Sequence, residues 1–373
     1  MTYPKIERIE TCIVDLPTIR LHHLSMTVMK KNSFVIIRLF CSDGVEGIGE
    51  STTIGGLSYG EESPEAMMVN LNTYFIPLLL GMDATNIHAI MNKLEKNIKG
   101  NPITKSGIET ALLDAQGKRL GVSVSTLLGG SQHTALDVLW TLASGDTEKD
   151  IAEAEKLIAE NRHNTFKIKT GWQTDNRAVE HVIAIKKALG ARAKVTVDVN
   201  QAWDEGTAKI YIKKLQENGI DLIEQPINKE NFEGLARLTQ TFEVPIMADE
   251  SQRTLTDAFQ LAKIRGGSVF ALKIGKSGGL YNVLKVAAIA EASDIGLYGG
   301  TLLEGSIGTI ASAHAFSTLK NLSWGTELFG PLLLTDDIIK TKLDYSNGTL
   351  SIPTGPGLGL ELDEDKLNQY KRK

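Results

Sequence analysis

The sequence predicts an α/β protein, a (β/α)8 barrel of the TIM type preceded by a smaller α+β domain. Three observations carry that prediction. A charged residue closes one apolar run after another: Lys169, Asp198, Glu224, Asp249, Lys273 and Glu327. These are separated by 29, 26, 25, 24 and 54 residues, the last about two periods of one recurring unit. From about residue 135 onward, short β-branched runs also alternate with amphipathic stretches, the pattern of βα units around a parallel sheet. The first 130 or so residues lack this alternation and read as a separate unit.

In that first unit, 1–130, Ile6 to Leu16 reads as a strand. Ser33 to Cys41 and Val45 to Gly49 read as a hairpin about Ser42-Asp43-Gly44, because Asp-Gly supplies the positive φ a tight turn needs. Ser63-Pro64-Glu65 opens a helix with a cap and a proline at its first position. A second helix is expected from Met82-Asp83-Ala84, and a third from Lys105 to Leu120, ended by Gly121. Two segments show no periodicity, 17–31 and 51–60. Both are rich in His, Ile, Met or Gly, and loops of that length in a compact domain are usually functional, so both are expected to be substrate lids.

The second unit, 131–328, offers eight candidate strands: Val138 to Ala143, Thr165 to Lys169, Lys194 to Val199, Leu222 to Glu224, Pro245 to Asp249, Val269 to Lys273, Gly296 to Tyr298 and Leu322 to Glu327. Helices are expected between them, at Ala152 to Asn161, Glu180 to Leu189 and Thr207 to Glu217 among others. Eight such units favour a closed barrel. A doubly wound open sheet would carry a Gly-rich fingerprint after its first strand, and Ala143-Ser144-Gly145-Asp146 does not supply one. Residues 329–373 hold no further βα unit. Tyr345 to Ile352, with its Asn347-Gly348 turn, reads as strands, and the tail is expected to return and complete the N-terminal capping domain.

Composition narrows the function. With 373 residues and 42% hydrophobic content, the chain can build a large core. A formal net charge of −5 with mixed signs offers no basic patch for nucleic acid. No apolar run reaches membrane-spanning length and Met1 to Ile9 is polar, so a cytoplasmic protein is expected. Cys12 and Cys41 lie in strand-like runs and read as buried free thiols.

In such a barrel the chemistry sits at the C-terminal ends of the strands, where all the recurring charged residues fall. Asp198, Glu224 and Asp249 on successive strands would repel one another unless a cation sits among them. All-oxygen ligation points to Mg²⁺ or Mn²⁺. Lys167 and Lys169 share one strand face just before the acids, and Lys273 follows them. A neighbouring cation and burial lower a lysine pKa, so Lys167 is expected to make Lys169 a usable base. These parts suit proton transfer at a carbon next to a carboxylate. Glu327 closes the ring, either sharing a proton with a substrate carboxylate or orienting Lys273.

The paired lysines, three acids and later lysine resemble the enolase superfamily in its muconate-lactonizing subgroup, matching at Lys167, Lys169, Asp198, Glu224, Asp249 and Lys273. Further stretches resemble the same subgroup: His22-His23, Thr52 to Gly56, Tyr59, Ala248 to Ser251, Gly299 to Ser306 and Trp324 to Phe329. The resemblance implies a small dicarboxylate substrate, with cis,cis-muconate converted reversibly to muconolactone in catechol breakdown. It implies Mn²⁺ or Mg²⁺ as cofactor and a homo-oligomer, an octamer in the family. Lys169 would carry the proton, Lys273 would supply charge from the opposite face, and Glu327 would donate a proton or a hydrogen bond. His22, Ile54, Tyr59, Asn200 and Phe329 would shape the substrate pocket. Gly325-Thr326-Glu327 lacks the paired aspartates of dipeptide epimerases, and Lys273 stands where mandelate racemase-like members rely on a late His–Asp pair. o-Succinylbenzoate synthases and N-acylamino acid racemases share the lysines and acids. Chloromuconate-converting relatives stand nearer still, with Ile54 and Phe329 favouring the unchlorinated substrate.

Overall fold

The computed structural model describes residues 3–23, 27–170 and 176–373, apart from the side chain of His23. Residues 24–26 of the first expected lid and residues 171–175 beyond the lysine strand lie outside the described residues.

The N-terminal sheet is antiparallel, ordered β1 (Ile6–His23), β2 (Val28–Cys41) and β3 (Glu46–Thr52). The Asp43-Gly44 turn joins β2 to β3, with Gly44 at φ 82° and its N–H donating to the Cys41 carbonyl. β1 and β2 run well past the expected strands: much of 17–31, read from sequence as a loop, is a continuation of the hairpin. The alternation is present but inverted. Ile19 and Leu21 face out while His22 is buried, so apolar periodicity does not betray the strand.

Glycines let β3 sit directly on the helix Pro102–Leu120. A Cβ on Gly47 would lie 2.0 Å from the Ala111 carbonyl oxygen, and one on Gly49 2.1 Å from that of Gly107. Gly121 at φ 69° ends that helix as expected. Ser63 caps the helix Pro64–Asn70 by accepting from the Ala66 N–H. The helix expected from Met82 begins instead at Ile87, capped by Asn86. Asp83 folds back to accept from the Thr85 N–H and hydroxyl, a local turn that competes with helix. Cys12 and Cys41 are free and buried.

The larger sheet is parallel and has seven strands in the order β5 to β11. They are β5 (Trp140–Leu142), β6 (Thr165–Lys169), β7 (Lys194–Asp198), β8 (Leu222–Glu224), β9 (Ile246–Ala248), β10 (Val269–Leu272) and β11 (Gly296–Gly299). The eighth expected strand, Leu322 to Glu327, is not one. Gly325, at φ 66°, breaks the run and leaves Thr326 alone to pair with Gly299 on one side and Val138 on the other. The Thr326 N–H donates to the Asp137 carbonyl and the Glu327 N–H to that of Gly299, so one extended residue joins the two edges of the curled sheet. The result is an α/β barrel closed by a bridge.

The tail also departs from expectation. Only Thr349–Ser351 (β12) is strand, and it pairs with β4 (Ala135–Asp137) beside the barrel. Arg372 forms ion pairs with Asp15 on β1 and with Glu65 on the helix Pro64–Asn70. Buried carboxylates join the two parts at helix N-termini, where backbone N–H groups lack intrahelical partners. Glu50 on β3 accepts from the N–H groups of Gly305 and Gly308, opening the helix Ser306–Ser317. Glu109 does the same for Tyr281 in the helix Leu280–Ala292.

Candidate active site

Lys169, Asp198 and Glu224 are the last residues of β6, β7 and β8, and strand register sets them side by side: Lys169 opposite Asp198, Asp198 opposite Glu224. Asp249 and Lys273 immediately follow β9 and β10. Two-residue alternation then turns Lys167 toward the same interior.

Each acid meets an ammonium. Lys167 Nζ lies 2.6 Å from Glu224 Oε2 and 2.7 Å from Glu327 Oε2, with only 1% of its side chain exposed. Lys169 Nζ lies 2.6 Å from Asp198 Oδ2. Lys273 Nζ donates to Asp249 Oδ2 at 2.6 Å and to the Tyr59 hydroxyl at 3.0 Å. Lys276 takes the other oxygen, 2.7 Å from Asp249 Oδ1 and 2.6 Å from the Asp249 carbonyl.

These pairings bear on the expectations for Lys169 and Glu327. Lys167 does push the Lys169 pKa down, as expected, and burial pushes it down further. Asp198, Glu327 and Glu224 together outweigh both, however, so the Lys169 ammonium is held above its ordinary value. Glu327 engages Lys167, while Lys273 is engaged by Asp249. Burial works to raise the Glu327 pKa, but Lys167 and Lys169 prevail and keep it below the usual carboxylate value.

A cavity of about 20 Å³ gathers most of the expected residues: His22, Ile54 and Tyr59 from the N-terminal part, and Lys169, Asn200, Glu224, Asp249, Lys273 and Glu327 from the barrel. Lys167 and Asp198 lie beneath its lining. Phe329 lies outside it, packed on Trp140 with ring centroids 5.3 Å apart, because the chain turns there into the short helix Gly330–Leu333. Asn200, at φ 44°, donates its N–H to Asp198 Oδ1 and its side-chain amide to Glu250.

A far larger cavity, about 950 Å³, opens at the opposite, N-terminal mouth of the barrel. Size does not make it the reaction site. Two of its cations are already committed, Lys186 to Asp221 and Arg192 to Glu155, and the carboxylate ring faces the other way.

Several site residues escaped the sequence reading. Gln225 follows Glu224 at φ 36° and accepts the N–H groups of both Asp249 and Ser251, locking one strand end to the next. Lys276, Thr141 and Tyr298 are the others. Lys276 alone left a signal, recurring three residues after Lys273.

A curled parallel sheet with lysines on both flanks of three strand-end carboxylates defines an enolase-type enzyme. The chain belongs to that family. Residues 8–129 match the mandelate racemase / muconate lactonizing enzyme N-terminal domain, and residues 149–366 match the enolase C-terminal domain-like model. Muconate cycloisomerase 1 of Pseudomonas putida is 57% identical over the whole of both chains. The muconate lactonizing enzyme of Pseudomonas fluorescens, solved with muconolactone, superposes with a TM-score of 0.98 at 58% identity and full coverage of both. A chloromuconate cycloisomerase of Cupriavidus necator is more distant, 44% identical over 99% of each chain.

The family's enzymes use a divalent metal, and the donor set here fits one. Among the described residues no three acid, imidazole or thiol groups converge closely enough to hold an ion as they stand, since ammonium groups occupy the carboxylates. Burial and the charges of Asp198 and Asp249 nevertheless press Glu224 far above the usual carboxylate range, despite Lys167. That is the electrostatic strain a cation among the three acids relieves.

Proposed function

We infer that the protein is an isomerase that interconverts cis,cis-muconate and muconolactone. The observation that carries this reading is the lysine-flanked carboxylate ring in a chain matched end to end by muconate cycloisomerases. In the forward direction one substrate carboxylate oxygen bonds to the distal alkene carbon. The alkene electron pair shifts to the carbon beside the other carboxylate, which then takes a proton from Lys169 Nζ. The ammonium that Asp198, Glu327 and Glu224 together favour on Lys169 suits it to that donation, and the amine left behind is the base for the reverse reaction. Lys273 supplies positive charge from the opposite face. Lys167 and Glu327 hold the floor of the site as a fixed ion pair.

Asp198, Glu224 and Asp249 would hold the divalent cation, Mn²⁺ or Mg²⁺. When bound it supplies electrostatic stabilisation for charge building on the substrate carboxylate. His22, Ile54, Tyr59 and Asn200 line the space beside Lys169 and would contact substrate, while Phe329 packs on Trp140 outside that lining. A cavity of about 20 Å³ holds little more than a water molecule, so a dicarboxylate enters only when covering segments move. Segments 17–31 and 51–60 are the lids, carried on an N-terminal domain that caps the barrel and that Arg372 in the tail ties down. The family resemblance supports a cytoplasmic homo-oligomer, octameric as in its relatives, which sedimentation would measure. No helix among the described residues is long and apolar enough to cross a membrane.

The test is spectrophotometric. With Mn²⁺ the protein should consume cis,cis-muconate, and Lys169→Ala should lower turnover by at least about 10³-fold while leaving Mn²⁺ affinity intact. Unchanged muconate absorbance with the wild-type protein would sink the assignment. The chloromuconate reading is favoured only if a chlorinated muconate turns over faster than muconate itself.

A further inference from the structure

Glu327 is held from below by two hydroxyls. Tyr298 on β11 donates to its Oε2 at 3.1 Å, alongside Lys167, and Thr141 on β5 donates to its Oε1 at 3.3 Å. Both arise from barrel closure. Thr326 pairs with Gly299 next to Tyr298 and with Val138 near β5, so the strands flanking the eighth position each extend a hydroxyl toward Glu327. Neither side chain lines the cavity that gathers the proposed substrate-contacting residues. Tyr298 instead faces the larger cavity at the other mouth and is 2% exposed.

We propose that Tyr298, with Thr141 as its counterpart, is a positioning residue for the cycloisomerase reaction, fixing the plane of the Glu327 carboxylate and with it the Lys167 ammonium. A carboxylate bound only by a lysine can rotate about its last bond, because an ammonium is a point charge with no preferred plane. A donor on each oxygen removes that freedom. Lys167 Nζ also lies 4.7 Å from the centroid of the Tyr298 ring, which places the cation over the negative face of the phenol. Burial and the Glu327 charge hold the phenol protonated, so it acts only as a donor toward the carboxylate. Tyr298 thereby influences how Lys167 divides its charge between Glu327 and Glu224, without touching substrate.

The proposal rests on the cycloisomerase reading, and the experiment separates the two. Tyr298→Phe keeps the ring and removes the hydroxyl. With the wild-type protein active on cis,cis-muconate, this variant should lose about 10- to 100-fold in kcat, the range for a hydrogen bond to a charged group. KM and Mn²⁺ affinity, the latter read by titration without substrate, should stay within about two-fold. Adding Tyr298→Phe to Glu327→Gln should cost nothing further, since the hydroxyl acts through that carboxylate. Thr141→Val should behave in the same way and Thr141→Ser should recover most of the rate, which keeps the test open if Tyr298→Phe does not fold. An inactive wild type overturns the functional reading instead. Wild-type kcat in Tyr298→Phe and Thr141→Val, or losses that simply add to those of Glu327→Gln, overturn this proposal.

Discussion

Lys167→Met tests whether the floor of the site is an ion-paired unit. The lysine is 1% exposed and bridges Glu224 and Glu327, themselves 2% and 5% exposed, at 2.6 and 2.7 Å. Methionine preserves most of the volume and removes the charge. Stripping one partner from a buried pair typically costs about 3–5 kcal/mol, because the remaining charge is left in a poorly polarisable interior. Here one cation serves two carboxylates, which pushes the cost toward the upper end; proton uptake by Glu224, already raised by burial, limits it. The expectation is therefore a loss of about 3–5 kcal/mol at neutral pH in metal-free protein, a large part of the roughly 5–15 kcal/mol that holds a typical domain together. The sign with pH follows from proton counting. Without Lys167 both carboxyls hold protons to higher pH in the folded variant than in the folded wild type, so the deficit grows as pH rises and shrinks in acid. Urea unfolding followed by tryptophan fluorescence, at several pH values and with a chelator present, reads both magnitude and slope. A deficit under about 1 kcal/mol, or one that shrinks as pH rises, would refute the view that Lys167 neutralises both acids.

Other perturbations probe separate parts of the structure. Asp198→Asn should weaken Mn²⁺ binding by about 10-fold or more, measured by titration without substrate; unchanged affinity removes Asp198 from the ligand set. Gly47→Ala should destabilise the protein by about 3 kcal/mol, because its Cβ meets the Ala111 carbonyl at 2.0 Å and β3 must lift off the helix. Wild-type stability in that variant would mean the contact has room to relax. Glu109 is buried and its pKa is raised from 4.5 to about 7, so folded protein keeps a proton there that unfolded chain has lost. Relative to Glu109→Gln, wild type should therefore lose up to about 3 kcal/mol of stability as pH rises from 4.5 to 7. A pH-independent difference would show that Glu109 ionises normally.

The barrel was legible because a parallel strand buried on both faces reads as a continuous apolar run, and a charge ending such a run has to be explained. Register did the rest: Lys169, Asp198 and Glu224 become neighbours because β6, β7 and β8 pair in phase. What was not legible depends on single residues whose partners lie far away in sequence. Nothing in Leu322 to Glu327 distinguishes a strand from one bridging residue, since the break comes from the backbone angle at Gly325. The hairpin arm through His22 hid because its buried face is polar. Three acids on adjacent strands were visible as a mutual repulsion, and the sequence reading assigned its relief to a metal alone. The fold supplies a second answer in the same place, since Lys167, Lys169, Lys273 and Lys276 lie against those acids. The lysines proposed to run the chemistry are then also groups whose charge offsets the repulsion among the acids.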